Sequence, residues 1–224
     1  MAAESPSITP YGDAALLVEF DERIDPVINT RVHELAHLVR DDAAGGTPWA
    51  APIPAYASLL VPYDALRLTI LEATERLSDL GAQLSSSSVA VDDHPVLEIP
   101  VTYGGDGGPD LEDVARRTGL TQAGVVELHS STTYRAYMLG FAPGFAYLGT
   151  LPEQLRVPRR DTPRQRVPAG SVAIAGAQTA VYPLSTPGGW HLIGRTDLVM
   201  WDARRDPPAM IEAGRAVRFV PGGD

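Results

Sequence analysis

The chain has 224 residues, 44% hydrophobic and 21% charged, which is enough apolar mass for one large domain or two ordinary ones. It contains no cysteine and no lysine, since all 18 basic residues are arginine; this excludes a thiol nucleophile, a disulfide framework, a cysteine metal centre, a P-loop lysine and a Schiff-base lysine. The net charge of −10 lies wholly within residues 1–95, while residues 96–224 balance, so general nucleic-acid binding is not expected. No run of about 18 apolar residues is present, so no membrane span is expected. Met1-Ala-Ala-Glu-Ser-Pro6 lacks the basic start and apolar centre of a signal peptide, and a cytoplasmic protein is expected.

Along the chain, Ala14–Phe20 reads as a strand after the Tyr11-Gly-Asp13 turn. Asp25 and Pro26 predict an N-cap and first turn, and Val27, Ile28, Val32, Leu35, Ala36, Leu38 and Val39 give the helix its period. Ala57–Tyr63 predicts a second strand. Asp64 predicts the cap of a second helix, with Leu66, Ile70, Leu71, Ala73, Thr74 and Leu77 on one face. Val89–Val91 reads as extended, and the turn-rich Asp92–Pro95 marks a boundary: an α+β domain over 1–93, followed by a mainly-β domain over 94–224. In the second part, Val96–Tyr103 alternates as a strand. Asp110 caps a short helix through Arg117, and Thr121 starts another that ends near Ser130. Short strands between Gly and Pro turns then follow at Tyr134–Leu139, Ser171–Ala175, Ala180–Tyr182, His191–Ile193, Asp197–Trp201 and Ala216–Val220, a pattern that argues for a closed barrel or sandwich.

Chemistry concentrates between Tyr134 and Thr196, where Arg135, Arg156, Arg159, Arg160, Arg164, Arg166 and Arg195 face only Glu153 and Asp161. A local cationic patch of this kind suits a small carboxylate or amide ligand. Gly140–Gly149 is either a tight hairpin with core aromatics or a loop whose bare N–H groups approach a ligand, flanked by Phe141, Phe145 and Tyr147. The glycine spacing is wrong for a dinucleotide fingerprint, and no helix follows. Arg156, Arg159 and Arg160 read as solvated or interfacial. Arg164 and Arg166 lie on stiff backbone beside Pro163, Pro168 and Gly170, where a guanidinium fork can be preorganised for an anion. Gln178 and Thr179 are either an internal network or an amide-reading pair. Thr186–His191 is a tight turn presenting Trp190 and His191.

His33-Glu-Leu-Ala-His37 matches H-E-x-x-H literally, but no ligand-rich segment follows it, and zinc-protease chemistry is not expected. His94 falls in the joint between the domains. His129 ends a helix, where a cation is favourable. No Gly-x-Ser-x-Gly elbow occurs, since Ser171 lacks the second glycine. The catalytic inventory is incomplete, which points to a partner chain.

Several motifs occur in order: Tyr137–Gly149, Thr162-Pro-Arg164, Val167–Val172, Ala175–Thr179, Ser185–Thr196 and the opening Tyr11–Phe20. Together they resemble the 5-oxoprolinase B-subunit family, also called allophanate hydrolase subunit 1, which includes a sporulation kinase inhibitor. The one departure is Ala180, where a glycine is common. The resemblance implies an α+β N-terminal domain followed by a mainly-β, cyclophilin-like barrel. It implies a larger homologous partner, of the type known as allophanate hydrolase subunit 2 or the 5-oxoprolinase C-subunit, in a heterotetramer or larger assembly. The implied activity is ATP-dependent opening of 5-oxoproline to glutamate. The alternatives are an allophanate or urea-pathway carboxyltransferase-like protein and a histidine-kinase inhibitor. No ATP-binding motif is visible, so the nucleotide is expected on a partner or at the interface. The resemblance places Arg164 in the active site. With it, Gln178 and His191 are the catalytic candidates. Phe141, Pro143, Gly144, Phe145, Tyr147, Arg166, Gly170, Ser171, Thr179, Gly188, Gly189 and Trp190 are the substrate-binding candidates, and no metal ligands are expected.

Overall fold

Residues 6–84 and 95–222 are described by the computed structural model, in which the chain divides into two units, Met1–Val91 and Asp92–Asp224. The extended segment expected at Val89–Val91 and most of the joint at Asp92–Pro95 lie outside the described residues. No helix among the described residues is long and apolar enough to cross a membrane.

The first unit holds a four-stranded antiparallel sheet in the order β1 (Ser7–Pro10), β2 (Ala15–Glu19), β4 (Ser58–Pro62), β3 (Ile53–Pro54). Helix α1 (Pro26–Ala44) starts where the sequence predicts: the Asp25 carboxylate accepts from the Val27 and Ile28 N–H groups at 2.8 and 3.1 Å. Its inner stripe of Val32, Leu35, Ala36 and Val39 packs with Leu16, Val18, Leu59 and Val61 of the sheet. Helix α2 (Ile70–Gly81) corrects an expectation. Asp64 only closes a turn, by accepting from Leu66 N–H. The helix is started by a Thr69–Glu72 capping box, in which Thr69 N–H donates to Glu72 Oε2 at 2.9 Å. Its packed face is therefore Ala73, Leu77 and Leu80, whereas Leu66 and Leu71 are exposed. Asp42 ties the two helices: its carboxylate accepts from Arg76 Nε, Arg76 Nη2 and Trp49 Nε1 at 2.6–2.7 Å. The Arg76 hydrogen bond, against the opposing effect of burial, brings its pKa down to about 2. Within the H-E-x-x-H segment, His33 is buried and His37 is exposed.

The second unit is a closed barrel in the order β10-β7-β6-β13-β5-β12-β9. Its strands are β5 (Leu97–Tyr103), β6 (Thr133–Leu139), β7 (Ala146–Gly149), β9 (Ser171–Ala175), β10 (Gln178–Val181), β12 (His191–Arg195) and β13 (Ala216–Pro221). A separate ribbon pairs β8 (Arg164–Val167) with β11 (Thr186–Gly188). Helices α3 (Leu111–Thr118) and α4 (Gln122–Ser131) are split by Gly119, which takes the left-handed conformation at φ 71°. The strand expected at Asp197–Trp201 does not form; only Trp201 bridges, to Ala209.

Strand alternation organises the barrel. Val172 and Ile174 of β9, Val181 of β10, Ile193 of β12 and Leu148 of β7 join Ile99, Tyr134 and Phe219 in the main core. The intervening residues Ala173, Ala175, Ala180 and Leu192 join a second cluster with Phe145, Tyr182 and Trp190. The same strands are thus buried on both faces. The small alanines of the second face leave room for large rings above them.

Candidate functional site

The sequence-predicted stretch contributes to a charged group and, on that second face, forms an aromatic plate. Phe145 lies at its centre, with ring centroids 5.0 Å from Tyr147, 5.3 Å from Phe141, 5.4 Å from Tyr182 and 5.7 Å from Trp190. These pairs are edge-to-face, the favoured arrangement for aromatic quadrupoles. Phe145, Tyr182 and Trp190 are buried, Tyr147 is half-buried, and Phe141 is 63% exposed with φ 67°. Of the two readings of Gly140–Gly149, the structure shows the β6–β7 hairpin with core aromatics. Its tip, Phe141 and Pro143, faces solvent.

The glycines support close approach between chain segments. A Cβ on Gly144 (φ 76°) would lie 2.6 Å from Trp201 Cβ, and one on Gly170 (φ 83°) would lie 2.3 Å from Thr196 O. A Cβ on Gly188 would lie 2.2 Å from the Tyr182 hydroxyl, whereas at Gly189 the nearest atom is Pro163 Cγ at 3.6 Å. Gly188 pairs with Arg164 across the ribbon, so this bare position sets the ribbon down onto Tyr182. Burial raises the Tyr182 pKa, opposed by the Trp190 backbone N–H at its hydroxyl and by Arg159 and Arg164.

The charged group centres on Asp110. The sequence predicts a helix cap at this position, yet the Asp110 side chain makes no cap hydrogen bond. Instead its buried carboxylate accepts from Arg164 Nη1 and Nη2 at 2.9 and 2.8 Å, Arg160 Nη1 at 2.9 Å and Leu192 N–H at 2.7 Å. Burial by itself would raise the Asp110 pKa, but the hydrogen bonds from Arg164 and Leu192 and the two guanidinium charges outweigh it and hold the pKa low. Arg160, expected to be solvated or interfacial, is thus drawn into the same group. Its Nε is buried without a hydrogen-bond partner. Arg166 is exposed and donates from Nε to Ser185 Oγ at 3.0 Å. Arg156 and Arg159 are exposed.

His191 is 1% exposed, and its Nε2–H donates to the Pro158 carbonyl at 3.0 Å. Its Nδ1 is left without a partner, 3.9 Å from Asp113 Oδ2, while Asp113 itself is held by Arg116 and Arg117. Ser171 is buried at the start of β9. Gln178 is half-buried on the outer face of β10, as strand alternation requires.

Thr179 faces the other way, into the barrel. Tyr103 O–H donates to His129 Nδ1 (2.7 Å), His129 Nε2–H donates to Thr179 Oγ1 (2.8 Å), and Thr179 O–H donates to Ala173 O (3.1 Å). Of its two readings, the structure places Thr179 in the internal network. Burial brings the His129 pKa down to about 3, so the cation expected at the end of α4 is instead a neutral ring stacked 4.5 Å from Phe219.

Sequence reasoning missed Asp110, Arg160 and Tyr182. The available signal for Asp110 was its acidic company. Glu112 and Asp113 already serve the first turn of α3, which leaves Asp110 for another task.

The carboxyltransferase domain, subdomain C and D, matches residues 6–211. The chain is 40% identical to the 5-oxoprolinase B-subunit of Bacillus subtilis, covering 95% of this chain and 91% of that one. It is 44% identical to the protein of the same name from Escherichia coli O157:H7, covering 94% and 93%. Among solved structures it resembles TTHA0988 (37% identity, TM-score 0.80), covering 94% of this chain but only 40% of that longer one. It also resembles PH0987 from Pyrococcus horikoshii (43% identity, TM-score 0.57), covering 96% and 97%. Kluyveromyces lactis urea carboxylase shares the fold, at 18% identity and TM-score 0.70, over 97% of this chain and 22% of that one.

Proposed function

The chain belongs to the carboxyltransferase subdomain C and D family, among the 5-oxoprolinase B-subunit proteins, and from that premise we propose that it is the smaller subunit of a multi-subunit hydrolase that opens 5-oxoproline to glutamate at the expense of ATP. The observation that carries this reading is the likeness to two 5-oxoprolinase B-subunits over more than nine-tenths of each chain. The chemistry of the site agrees with it. 5-Oxoproline is a small anion with a lactam amide. A guanidinium pair balanced by one carboxylate retains one positive charge for its carboxylate, and Gln178 supplies an amide group that can recognise a lactam. The aromatic plate supplies an apolar wall for the ring.

The site is half of an active centre. It offers no cysteine or lysine nucleophile, and Ser171 and His191 are buried. Nor does the chain suit a nucleotide. It has no lysine, and the Gly140–Gly149 loop leads into β7, not to the N-terminus of a helix that could cradle phosphate. We therefore assign ATP and the attacking group to a larger, homologous partner, in a heterotetramer or larger assembly in the cytoplasm. Here the role of this chain is to bind, orient and shield the substrate. The test is coexpression with each candidate partner encoded nearby. Purified complex should release glutamate from 5-oxoproline only with ATP, while the isolated chain should turn over neither 5-oxoproline nor allophanate. Robust activity of the isolated chain, or activity of the complex on allophanate alone, overturns the proposal.

A further inference from the structure

Within the second unit, one buried carboxylate joins three segments that are distant in sequence. Asp110 precedes α3, Arg160 and Arg164 lie fifty residues on, and Leu192 is on a barrel strand. All four lone-pair positions of the carboxylate are used, two by Arg164, one by Arg160 and one by the Leu192 N–H. The Asp110 N–H also donates to the Leu192 carbonyl at 2.9 Å, so the backbone that carries the carboxylate is fixed to the barrel wall. By contrast, the guanidinium side is incompletely satisfied. Arg164 spends its terminal fork on Asp110, and Arg160 Nε is buried and unpartnered.

We infer that Asp110 is the positioning residue of the site: it occupies the end-on fork of Arg164, ties Arg160 beside it, and so leaves the lateral Nε–Nη edge of Arg164 for a substrate carboxylate. This rests on the function proposed above. A substrate anion cannot take the bidentate end-on geometry, because Asp110 holds it. It must approach side-on, and the orientation of that edge is set by a residue that never touches it.

The experiment is a double-mutant cycle in the assembled complex with Asp110→Asn, Arg164→Ala and the double variant, measuring kcat and KM for 5-oxoproline separately. The same preparations are labelled with phenylglyoxal, and the modification of Arg160 and Arg164 is quantified by peptide mass spectrometry. Asp110→Asn should raise KM about tenfold or more, the equivalent of one lost charged hydrogen bond, with a smaller change in kcat. It should also increase labelling of Arg164 several-fold, and the double variant should be no worse than Arg164→Ala alone. Asp110→Glu, which keeps the charge, should recover part of the loss, and it carries the comparison if Asp110→Asn does not assemble. Unchanged kinetic constants per assembled complex, or additive losses in the double variant, overturn the inference. A wild-type complex inactive on 5-oxoproline would sink the function proposed above. In that case labelling decides, and equal Arg164 modification in wild type and Asp110→Asn overturns the positioning role.

Discussion

The two faces of the barrel wall carry two polar groups built on opposite rules. Inside the barrel, Tyr103, His129, Thr179 and the Ala173 carbonyl form a chain in which every donor meets an acceptor, and the ring at its centre is neutral. On the outer face, Asp110, Arg160 and Arg164 are charged, and buried polar atoms nearby in the fold remain unpaired: Arg160 Nε, Thr186 Oγ1 and His191 Nδ1. A satisfied buried network gains stability and specifies one packing, whereas unsatisfied buried groups cost free energy and persist where something else pairs with them. The inner network therefore serves the fold, and the outer group is the site proposed here for the substrate.

Substitutions can break that contrast. The largest effect is expected for Arg164→Ala. Activity of the assembled complex should fall by on the order of 100-fold, as when a reacting group is misplaced by an ångström. The folded chain should lose only about 1.5–3 kcal/mol, because Asp110 keeps Arg160 and Leu192. Glutamate release and urea unfolding measured together check both halves, and a normal rate would remove Arg164 from the site. Thr179→Val keeps the shape of the side chain and strands the His129 N–H in the core. It should cost about 1–3 kcal/mol in urea unfolding while leaving kcat and KM of the folded complex unchanged. A kinetic defect there would merge the two groups into one.

The pH dependence of stability separates them further. His129 is neutral in the folded state with a pKa of about 3, against an ordinary value of 6.5. As pH falls below about 6.5 the unfolded chain takes up a proton that the folded chain does not. Stability should therefore decline by about 1.4 kcal/mol per pH unit until the folded pKa is reached. The carboxylates of Asp42 and Asp110 have lowered folded-state pKa values, so their contribution is lost only below about 4. Unfolding midpoints between pH 7 and pH 4.5 should slope in the wild type and flatten in His129→Phe; parallel slopes would contradict a buried neutral ring. The smallest effect is expected at the hairpin tip. Phe141→Asn, which tolerates positive φ and gives up an exposed ring, should change stability by less than about 0.5 kcal/mol by the same measurement.

Local signals in the sequence were sufficient for elements whose start and face are both written locally. Asp25-Pro26 with its apolar stripe predicted α1, and alternation predicted most barrel strands. The second helix went astray because Asp64 and Thr69 both resemble caps, and only the reciprocal Glu72 distinguishes them. The strand expected at Asp197–Trp201 failed because an apolar run next to a turn does not specify a pairing partner. For the candidate site, Arg164 stood out through its stiff Pro and Gly surroundings and the family resemblance, and Phe141, Phe145 and Tyr147 through their alternation, whereas Tyr182 gave no local signal. Asp110 was not legible, because its partners lie 50 to 82 residues away and its local position already suggested a cap. Thr179 and Gln178 are neighbours in the sequence, yet the pleat turns them to opposite faces.

Gly188 has a wider consequence. Because no carbon can stand between this residue and the Tyr182 hydroxyl, the height of the ribbon above the barrel is a steric quantity fixed by one absent methyl group. The headroom over the aromatic plate is then a property of the backbone, separate from the charges proposed to hold the substrate.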